Sequence, residues 1–225
     1  MTPLRILQGA GNSLDTLPLA RHEDVDGISA DVYVHNGAVF AQPETPVATR
    51  VLRRAPFIGA RIAARTEVPL IVPVADVFRA AEEAGRAHTL LLDLRTASGD
   101  PAPEIAVALH SVPDRSRLIV ACASWEVAER LHAWLPDLRV ALNLDSEGAL
   151  RRYIQARMDG SLAEAPAIVR ESLLHTEHEY ASLRKRAALV GVRGVRTVER
   201  AQTLASWGVD LVMSESVGVL AALGG

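Results

Sequence analysis

The stretch LIVACASWEVAERLHAWLP, residues 118–136, contains one complete unit of the fold. Its first five residues are all apolar, and such a run is typical of a parallel strand that is buried on both faces. A helical pattern follows, with Ser124 suited to the N-cap and Pro136 placed just beyond the predicted end. The apolar residues of this pattern fall on one stripe: Val127, Leu131 and Leu135. The stretch therefore predicts a buried strand that leads directly into a helix with one apolar face.

The same unit recurs along the chain. Strands are predicted over 4–8, 27–33, 89–95, 117–123, 139–144, 167–173, 187–193 and 209–214. Each is followed by a helical pattern or by a loop with helical character; the helix that follows 187–193 is predicted to start at Thr197 and to stop at Gly208, with its apolar residues on one face. Eight such units predict a (β/α)₈ TIM barrel, formed by a single domain over residues 1–225.

A doubly wound α/β sheet is the rival architecture. That fold normally carries a glycine-rich phosphate loop after its first strand. Here the corresponding residues, QGAGNS (8–13), contain only Gly9 and Gly11, which is half of a dinucleotide-binding fingerprint. The barrel is therefore favoured.

Composition narrows the classes of function. The chain has 225 residues and a formal net charge of -3, which argues against a dedicated nucleic-acid binder, because such proteins need a strongly basic face. Cys122 is the only cysteine, so no disulfide framework forms within the chain. We find no signal peptide and no segment long enough to span a bilayer, and we expect a cytoplasmic protein. The cationic residues are almost all arginine, which suggests a GC-rich bacterial genome.

The stretch DGISADVYVHNGAVFAQPE, residues 26–44, predicts a hairpin. Alternating residues lead into Asn36-Gly37, a dipeptide that favours tight two-residue turns, and Val39-Phe40 resumes the apolar run. The proline-containing segment that follows, 42–69, is expected to be an irregular excursion with the potential to act as a lid.

Five segments resemble the glycerophosphodiester phosphodiesterase family, a family of metal-dependent barrels. In ILQGAGNSLDTL (6–17) only Gly9 remains of the family's His-Arg-Gly, while Asn12-Ser13-Leu14 is similar to its Asn-Thr-Leu. Residues 26–44 resemble the family's second strand and turn, and the closing stretch 195–216 is the best-preserved part. The remaining two similar segments are VPLIVPVADVF (68–78) and LLLDLRT (90–96).

The resemblance also shows which chemical groups are replaced. Leu7 and Gln42 stand at the positions of the two family histidines, which act as general acid and base, so no catalytic residue is assigned. Gly11 and Ser29 replace two of the carboxylates that hold the family's divalent metal. Each proton-transfer group typically supplies roughly 10²–10⁴-fold in rate, so the family mechanism cannot run unchanged.

Two metal-ligand positions keep their carboxylates. Asp31 and Asp93 are the candidate metal ligands, and we expect them to bind Ca²⁺ or Mg²⁺ weakly, with no tightly bound cofactor, because affinity depends on the number of charged ligands. Most of the wider set of ligand-binding candidates lie at predicted carboxyl-terminal strand ends, where barrels carry function. The set consists of Gln8, Asp31, Gln42, Asp93, Arg95, Ser124, Asn143 and Arg193. Gln8 and Gln42 are added because the resemblance places them at positions of the family's His-Arg-Gly and His-Asp motifs. The alternative for Asp31 is a helix cap or a pair with an arginine, and for Asp93 and Arg95 it is a buried ion pair. For Ser124, Asn143 and Arg193 the alternative is a helix cap, and for Arg193 also solvated surface.

Three functional hypotheses follow. The leading one is a degenerate member of the family, a pseudoenzyme that binds a phosphorylated or anionic small molecule, or a protein partner, without hydrolysis. The second is an active phosphoric diester hydrolase of lipid metabolism with a site rebuilt around Asp31, Asp93 and Arg193. The third is a structural or assembly barrel, which would have no polar pocket at the strand ends. The sequence leaves the ligand and the oligomeric state open.

Overall fold

The structure, a computed structural model, describes residues 2–13, 15–35, 37–41, 72–73, 77–79, 83, 89–95, 100–110, 112, 114–155 and 164–224. Strands and helices alternate along these residues. The strands are β1 (Leu4–Leu7), β2 (Gly27–His35), β3 (Ala38–Ala41), β4 (Val72–Pro73), β5 (Thr89–Leu94), β6 (Leu118–Cys122), β7 (Arg139–Leu144), β8 (Ala167–Arg170), β9 (Val190–Arg193) and β10 (Leu211–Ser214).

Eight of these strands form a closed parallel barrel. Their order is β1-β10-β9-β8-β7-β6-β5-β2, and a further parallel pairing between β1 and β2 closes the ring. The first and last strands pair over Leu4–Leu7 and Leu211–Ser214, and closure at β2 rests on two pairs, Ile6 with Gly27 and Leu7 with Ile28. The predicted (β/α)₈ TIM barrel is confirmed, and the open doubly wound sheet is excluded.

The remaining two strands extend β2 beyond the barrel. β3 pairs antiparallel with the end of β2, from Val32 opposite Ala41 to His35 opposite Ala38. The predicted hairpin is therefore present, with Gly37 in the turn at a left-handed φ of 76°. Asn36 and the whole of the proposed lid segment 42–69, including Gln42, lie outside the described residues.

The helices surround the barrel. They are α1 (Ala102–His110), α2 (Trp125–Trp134), α3 (Glu147–Gln155), α4 (Glu177–Arg184), α5 (Val198–Trp207) and α6 (Val217–Ala221). The predicted ends of α2 and α5 are confirmed: Ser124 accepts a hydrogen bond from the amide of Val127, Thr197 accepts one from the amide of Arg200, and Gly208 ends α5 at a φ of 87°.

Three strands are shorter at one end, by two or three residues, than the sequence pattern predicts. Residues 171–173 form a 3₁₀ turn, Glu171–Leu173, rather than the end of β8. Before β9, the amide of Ala187 still bonds to the carbonyl of Leu183, so the turn that ends α4 uses residues expected in the strand. Residues 209–210 likewise precede β10. In the first two cases local backbone bonding takes residues that the pattern assigns to the strand.

The core has two layers. Inside the barrel, side chains from six of the eight strands form one cluster, while a larger cluster lies between the strands and the surrounding helices. The inner cluster consists of Ile6, Leu91, Ile119, Ala121, Ala141, Ile168, Leu211 and Met213. Because side chains alternate along a strand, the residues two positions beyond this cluster point toward the carboxyl-terminal mouth of the barrel. None of the helices in the described part of the chain has the length and apolar content needed to cross a bilayer.

Candidate functional site at the barrel mouth

Polar side chains close the inside of the barrel at its carboxyl-terminal end. Asp93 lies two residues after Leu91 on β5, Asn143 lies two after Ala141 on β7, and both are buried. Asp31 on β2 is opposite Asp93 in the register of the two strands. Arg193, at the end of β9, is also buried, with 6% of its surface exposed. The alternation that fills the barrel with apolar residues therefore ends in a layer of charged and amide groups.

Arg95 joins the two carboxylates that face each other across β2 and β5. Its Nε donates a hydrogen bond to Oδ1 of Asp31 at 2.9 Å, and its Nη2 lies 2.7 Å from Oδ2 of Asp93. Guanidinium groups suit such bridging because their donors are held in a rigid planar fork. Asp31, Asp93 and Arg95 are thus brought together as one ion-pair cluster.

Arg193 approaches the same cluster from the opposite side. Its Nη1 donates to Oδ2 of Asp93 at 3.4 Å, and its Nη2 donates to Asp145, a residue of the loop after β7. The side chain of Asp145 is 34% exposed, whereas those of Arg193 and Asp93 are 7% exposed. The network therefore extends from the buried centre of the mouth to its rim.

Two buried polar atoms at this site lack a hydrogen-bond partner in the described part of the chain. They are Nε of Arg193, a donor, and Oδ1 of Asn143, an acceptor. The amide Nδ2 of the same Asn143 donates to Oδ1 of Asp93 at 2.7 Å. Since leaving a buried polar group unsatisfied costs about 1–3 kcal/mol, such atoms call for a partner, and a bound ligand can supply it.

Asn12 is the site residue that the sequence analysis missed. Its Nδ2 donates to Oδ2 of Asp31 at 2.7 Å, and its Oδ1 accepts from the amide of Asp31 at 2.6 Å. The two bonds hold the 3₁₀ helix Ala10–Asn12 against β2 and orient the carboxylate. The similarity of Asn12-Ser13-Leu14 to the family's Asn-Thr-Leu was the available signal.

Burial sets the ionisation of Asp93. Removal from water raises the pKa of its carboxyl group from 3.8 to about 6, although the charges of Arg95 and Arg193 and the hydrogen bond from Asn143 act to lower that pKa. The charge of Asp31 adds to the increase. A carboxyl group that titrates this close to neutrality can exchange a proton under physiological conditions.

The surroundings of Asp31 and Asp93 do not fit a divalent metal ion. All four carboxylate oxygens accept hydrogen bonds from N–H groups of Asn12, Arg95, Asn143 or Arg193. An N–H group cannot coordinate a cation, and Ca²⁺ or Mg²⁺ needs about six oxygen ligands. Within the described residues, no cluster of three or more His, Cys, Asp or Glu side chains is positioned to hold a metal.

Comparison with known proteins agrees with this geometry at the level of the fold. Neither a protein-family model nor a curated protein matches the sequence. Among solved structures, an Oleispira antarctica phosphodiesterase in complex with the product sn-glycerol-3-phosphate aligns over 100% of this chain and 98% of its own, with a TM-score of 0.72 and 15% identity. A glycerophosphodiester phosphodiesterase from Agrobacterium tumefaciens aligns over 99% and 100%, with a TM-score of 0.67 and 15% identity. One from Parabacteroides distasonis aligns over 97% and 95%, with a TM-score of 0.72 and 10% identity. The chain has the glycerophosphodiester phosphodiesterase fold.

The structure shows where the residues lie that the resemblance assigns to the family's catalytic and metal-ligand positions. Leu7 is buried in the outer cluster, between the strands and the helices, with its side chain turned away from the barrel interior. Gln8 is the residue of this segment that faces the site: its Oε1 accepts a hydrogen bond from the amide of Gly194 at 2.9 Å. A Cβ atom on Gly11 would lie 2.7 Å from the Cβ of Ala30, so a glutamate there would require the backbone to move. Ser29 accepts from the amide of Gly9 at 3.0 Å.

Ser124 is a candidate that the structure places in a helix cap. Besides accepting from Val127, its hydroxyl group donates to Oε2 of Glu126 at 2.7 Å. The helix-cap alternative therefore describes Ser124, and the ion-pair alternative describes Asp31, Asp93 and Arg95. Arg193, for which a cap or solvated surface was the alternative, is instead buried and paired with Asp93 and Asp145. Nearby Cys122 belongs to the outer core, and burial raises the pKa of its thiol to about 12, which leaves it protonated and unreactive.

Proposed function

We propose that this barrel binds a small phosphorylated or anionic molecule at its mouth and does not hydrolyse it. The observation that carries the proposal is the pair of unpartnered buried atoms, Nε of Arg193 and Oδ1 of Asn143, at the carboxyl-terminal end of the strands. A ligand that satisfies both must accept one hydrogen bond and donate another. A phosphate monoester that retains a proton, or an anion with a hydroxyl group, meets that requirement.

The charge arrangement supports an exchange of partners at Arg193. Its Nη2 pairs with Asp145, whose side chain is 34% exposed, compared with 22% for Arg95 and 17% for Asp31. An incoming anion can replace that carboxylate at the rim while Asp93 stays in place. The phosphodiesterase from Oleispira antarctica holds sn-glycerol-3-phosphate, which makes this compound a suitable first probe.

A small molecule is favoured over a protein partner because of burial. Arg193 and Asn143 are each 6% exposed, so their free atoms are out of reach of a flat protein surface. A purely structural barrel would gain nothing from keeping this charged layer, since burying ion pairs generally costs more than burying apolar groups of the same size.

Binding is tested by titration calorimetry with sn-glycerol 3-phosphate and with inorganic phosphate. Arg193→Gln should weaken binding about tenfold or more, because a charge-assisted hydrogen bond contributes roughly 1.5–3 kcal/mol. Arg196→Gln is the matched control: Arg196 lies three residues away and is exposed, so its loss should leave the affinity unchanged. Equal effects of the two substitutions, or no heat with either probe, would contradict the proposal.

Hydrolysis is tested with glycerophosphocholine and glycerophosphoethanolamine. The described residues of the network are Asp, Arg, Asn, Ser and Gln, and none of these is a histidine. We expect no product above a buffer control, with or without added Ca²⁺ or Mg²⁺. Measurable turnover that Asp31→Ala abolishes would reject the pseudoenzyme hypothesis.

The alternative, an active phosphoric diester hydrolase with a rebuilt site, is favoured by one observation. Asp93 has a pKa near 6 and lies between two arginines, a setting in which a carboxyl group can serve as general acid or base. If turnover is detected, its rate should then depend on pH with a midpoint near that value, and Asp93→Asn should remove both the activity and the pH dependence.

A further inference from the structure

Arg95 occupies the position between two carboxylates that face each other across neighbouring strands. Asp31 and Asp93 are partners in the register of β2 and β5, and the guanidinium group lies 2.9 Å from one and 2.7 Å from the other. The side chain of Arg95 is 22% exposed, so the positive charge is partly withdrawn from water. Two adjacent buried carboxylates repel each other unless a cation lies between them.

One oxygen of each carboxylate accepts a hydrogen bond from a side-chain amide. Asn12 donates to Asp31, and Asn143 donates to Asp93, each at 2.7 Å. Asn143 also keeps a buried oxygen without a partner in the described part of the chain. Rotation of this amide would place Oδ1 beside the carboxylate of Asp93, giving a third oxygen ligand once the guanidinium is gone.

We infer that Arg95 is the cation shared by the two carboxylates, in the place where a divalent ion would bridge them, and that its side chain keeps a divalent ion out. Removal of its charge, with the carboxylates kept, should convert the same position into a Ca²⁺ site. The ligands would be Asp31, Asp93, Oδ1 of Asn143 and water, all oxygen donors of the kind that Ca²⁺ prefers. This inference concerns the cation alone and holds whether or not an anion binds.

The test compares Ca²⁺ binding by Arg95→Ala, Arg95→Lys and the unaltered protein, using titration calorimetry and thermal unfolding. Arg95→Ala should bind Ca²⁺ at least about tenfold more tightly than the unaltered protein, and Ca²⁺ should raise its unfolding temperature. Arg95→Lys keeps a positive charge between the carboxylates, so it should behave as the unaltered protein does.

Arg5→Ala serves as a comparison at the opposite end of the barrel. Arg5 also bridges two aspartates, Asp24 and Asp26, each at 2.9 Å, but their side chains are 25% and 31% exposed. Exposing that pair should add little Ca²⁺ affinity. If Arg5→Ala gains as much as Arg95→Ala, any exposed aspartate pair suffices and the inference fails.

Two further outcomes would overturn the inference. One is Ca²⁺ binding by the unaltered protein as tight as that by Arg95→Ala. The other is no gain in Arg95→Ala or in Arg95→Gln, which retains more of the side-chain volume. If Arg95→Ala or Arg95→Gln is unfolded without Ca²⁺, added Ca²⁺ should restore its folded circular dichroism spectrum. If Ca²⁺ restores neither variant, the inference is contradicted. None of these readouts involves an anion or hydrolysis, so failure here is distinguishable from failure of the proposed function.

Discussion

Asp93 is held at the centre of the mouth by two arginines and an asparagine, yet burial keeps its pKa above the usual value for aspartate, at about 6. The folded protein therefore binds a proton at this group more tightly than the unfolded chain does. Unfolding releases that proton, so the contribution of Asp93 to stability is largest below about pH 4 and is lost as the pH rises through about 6.

The pH dependence can be isolated by comparing the unaltered protein with Asp93→Asn. The free energy of unfolding of the unaltered protein, minus that of the variant, should fall by about 3 kcal/mol between about pH 4 and 7, from the conversion of a pKa shift to free energy. Urea unfolding at several pH values measures the difference. A difference that rises with pH would mean that the arginines outweigh burial and that Asp93 stays ionised.

Among the elements, helix α4 shows how strongly a local signal can define a boundary. Thr176 accepts a hydrogen bond from the amide of Glu179, and Glu179 accepts from the amides of Thr176 and His175, which completes a capping box. The hydrogen bond from His175 is the largest cause of the lowered pKa of Glu179. These contacts join residues within four positions of one another, so they do not depend on how the helix packs against the barrel.

Substitution of this cap should cost stability in proportion to the bond lost. Thr176→Ala should lower the free energy of unfolding by about 1 kcal/mol, since the amide of Glu179 loses its acceptor. Thr203→Ala is the matched control: Thr203 is an exposed residue of α5, where alanine is a good helix former, and we expect a change within about 0.5 kcal/mol. Denaturant unfolding of both variants decides. Equal losses of unfolding free energy in the two variants would show that the capping hydrogen bond does not stabilise the helix.

At the scale of the whole molecule, the barrel closes at its shortest pairing. β1 and β2 share two residue pairs, whereas β2 and β5 share six. Asp26, just before β2, reinforces the seam by accepting hydrogen bonds from the backbone amide, Nε and Nη2 of Arg5, at distances between 2.9 and 3.0 Å. Charge and hydrogen bonding thus supplement the short ladder where the first and second strands meet.

Asp26→Ala should therefore weaken barrel closure. We expect the free energy of unfolding to fall by about 1–3 kcal/mol, because a partly buried amide and a guanidinium group both lose their acceptor. Asp137→Ala removes an ion pair with Arg115 whose aspartate side chain is 56% exposed, and it should cost less than about 1 kcal/mol. A similar cost for both substitutions, measured by guanidinium chloride unfolding, would show that the seam does not depend on Asp26.

Much of the architecture follows from local sequence. Continuous apolar runs such as 118–122 predict strands buried on both faces, and Ser124, Thr197 and Gly208 mark helix ends, all of which the structure bears out. These signals depend on contacts within a few residues, so they can be read from the chain directly. The order of eight such units is enough to predict a closed barrel.

The site itself depends on tertiary structure. Its hydrogen bonds join residues far apart in the chain: 64 positions separate Arg95 from Asp31, and 100 separate Arg193 from Asp93. A strand that is apolar on both faces also does not reveal which of its two sets of alternating residues faces the barrel interior. Closure of the ring decides this, and it turns Leu7 outward and Gln8 inward. Local signals along the chain thus define the strands and helices and their order. Which charged side chains meet at the mouth depends on the register between strands, and only closure of the barrel sets that register.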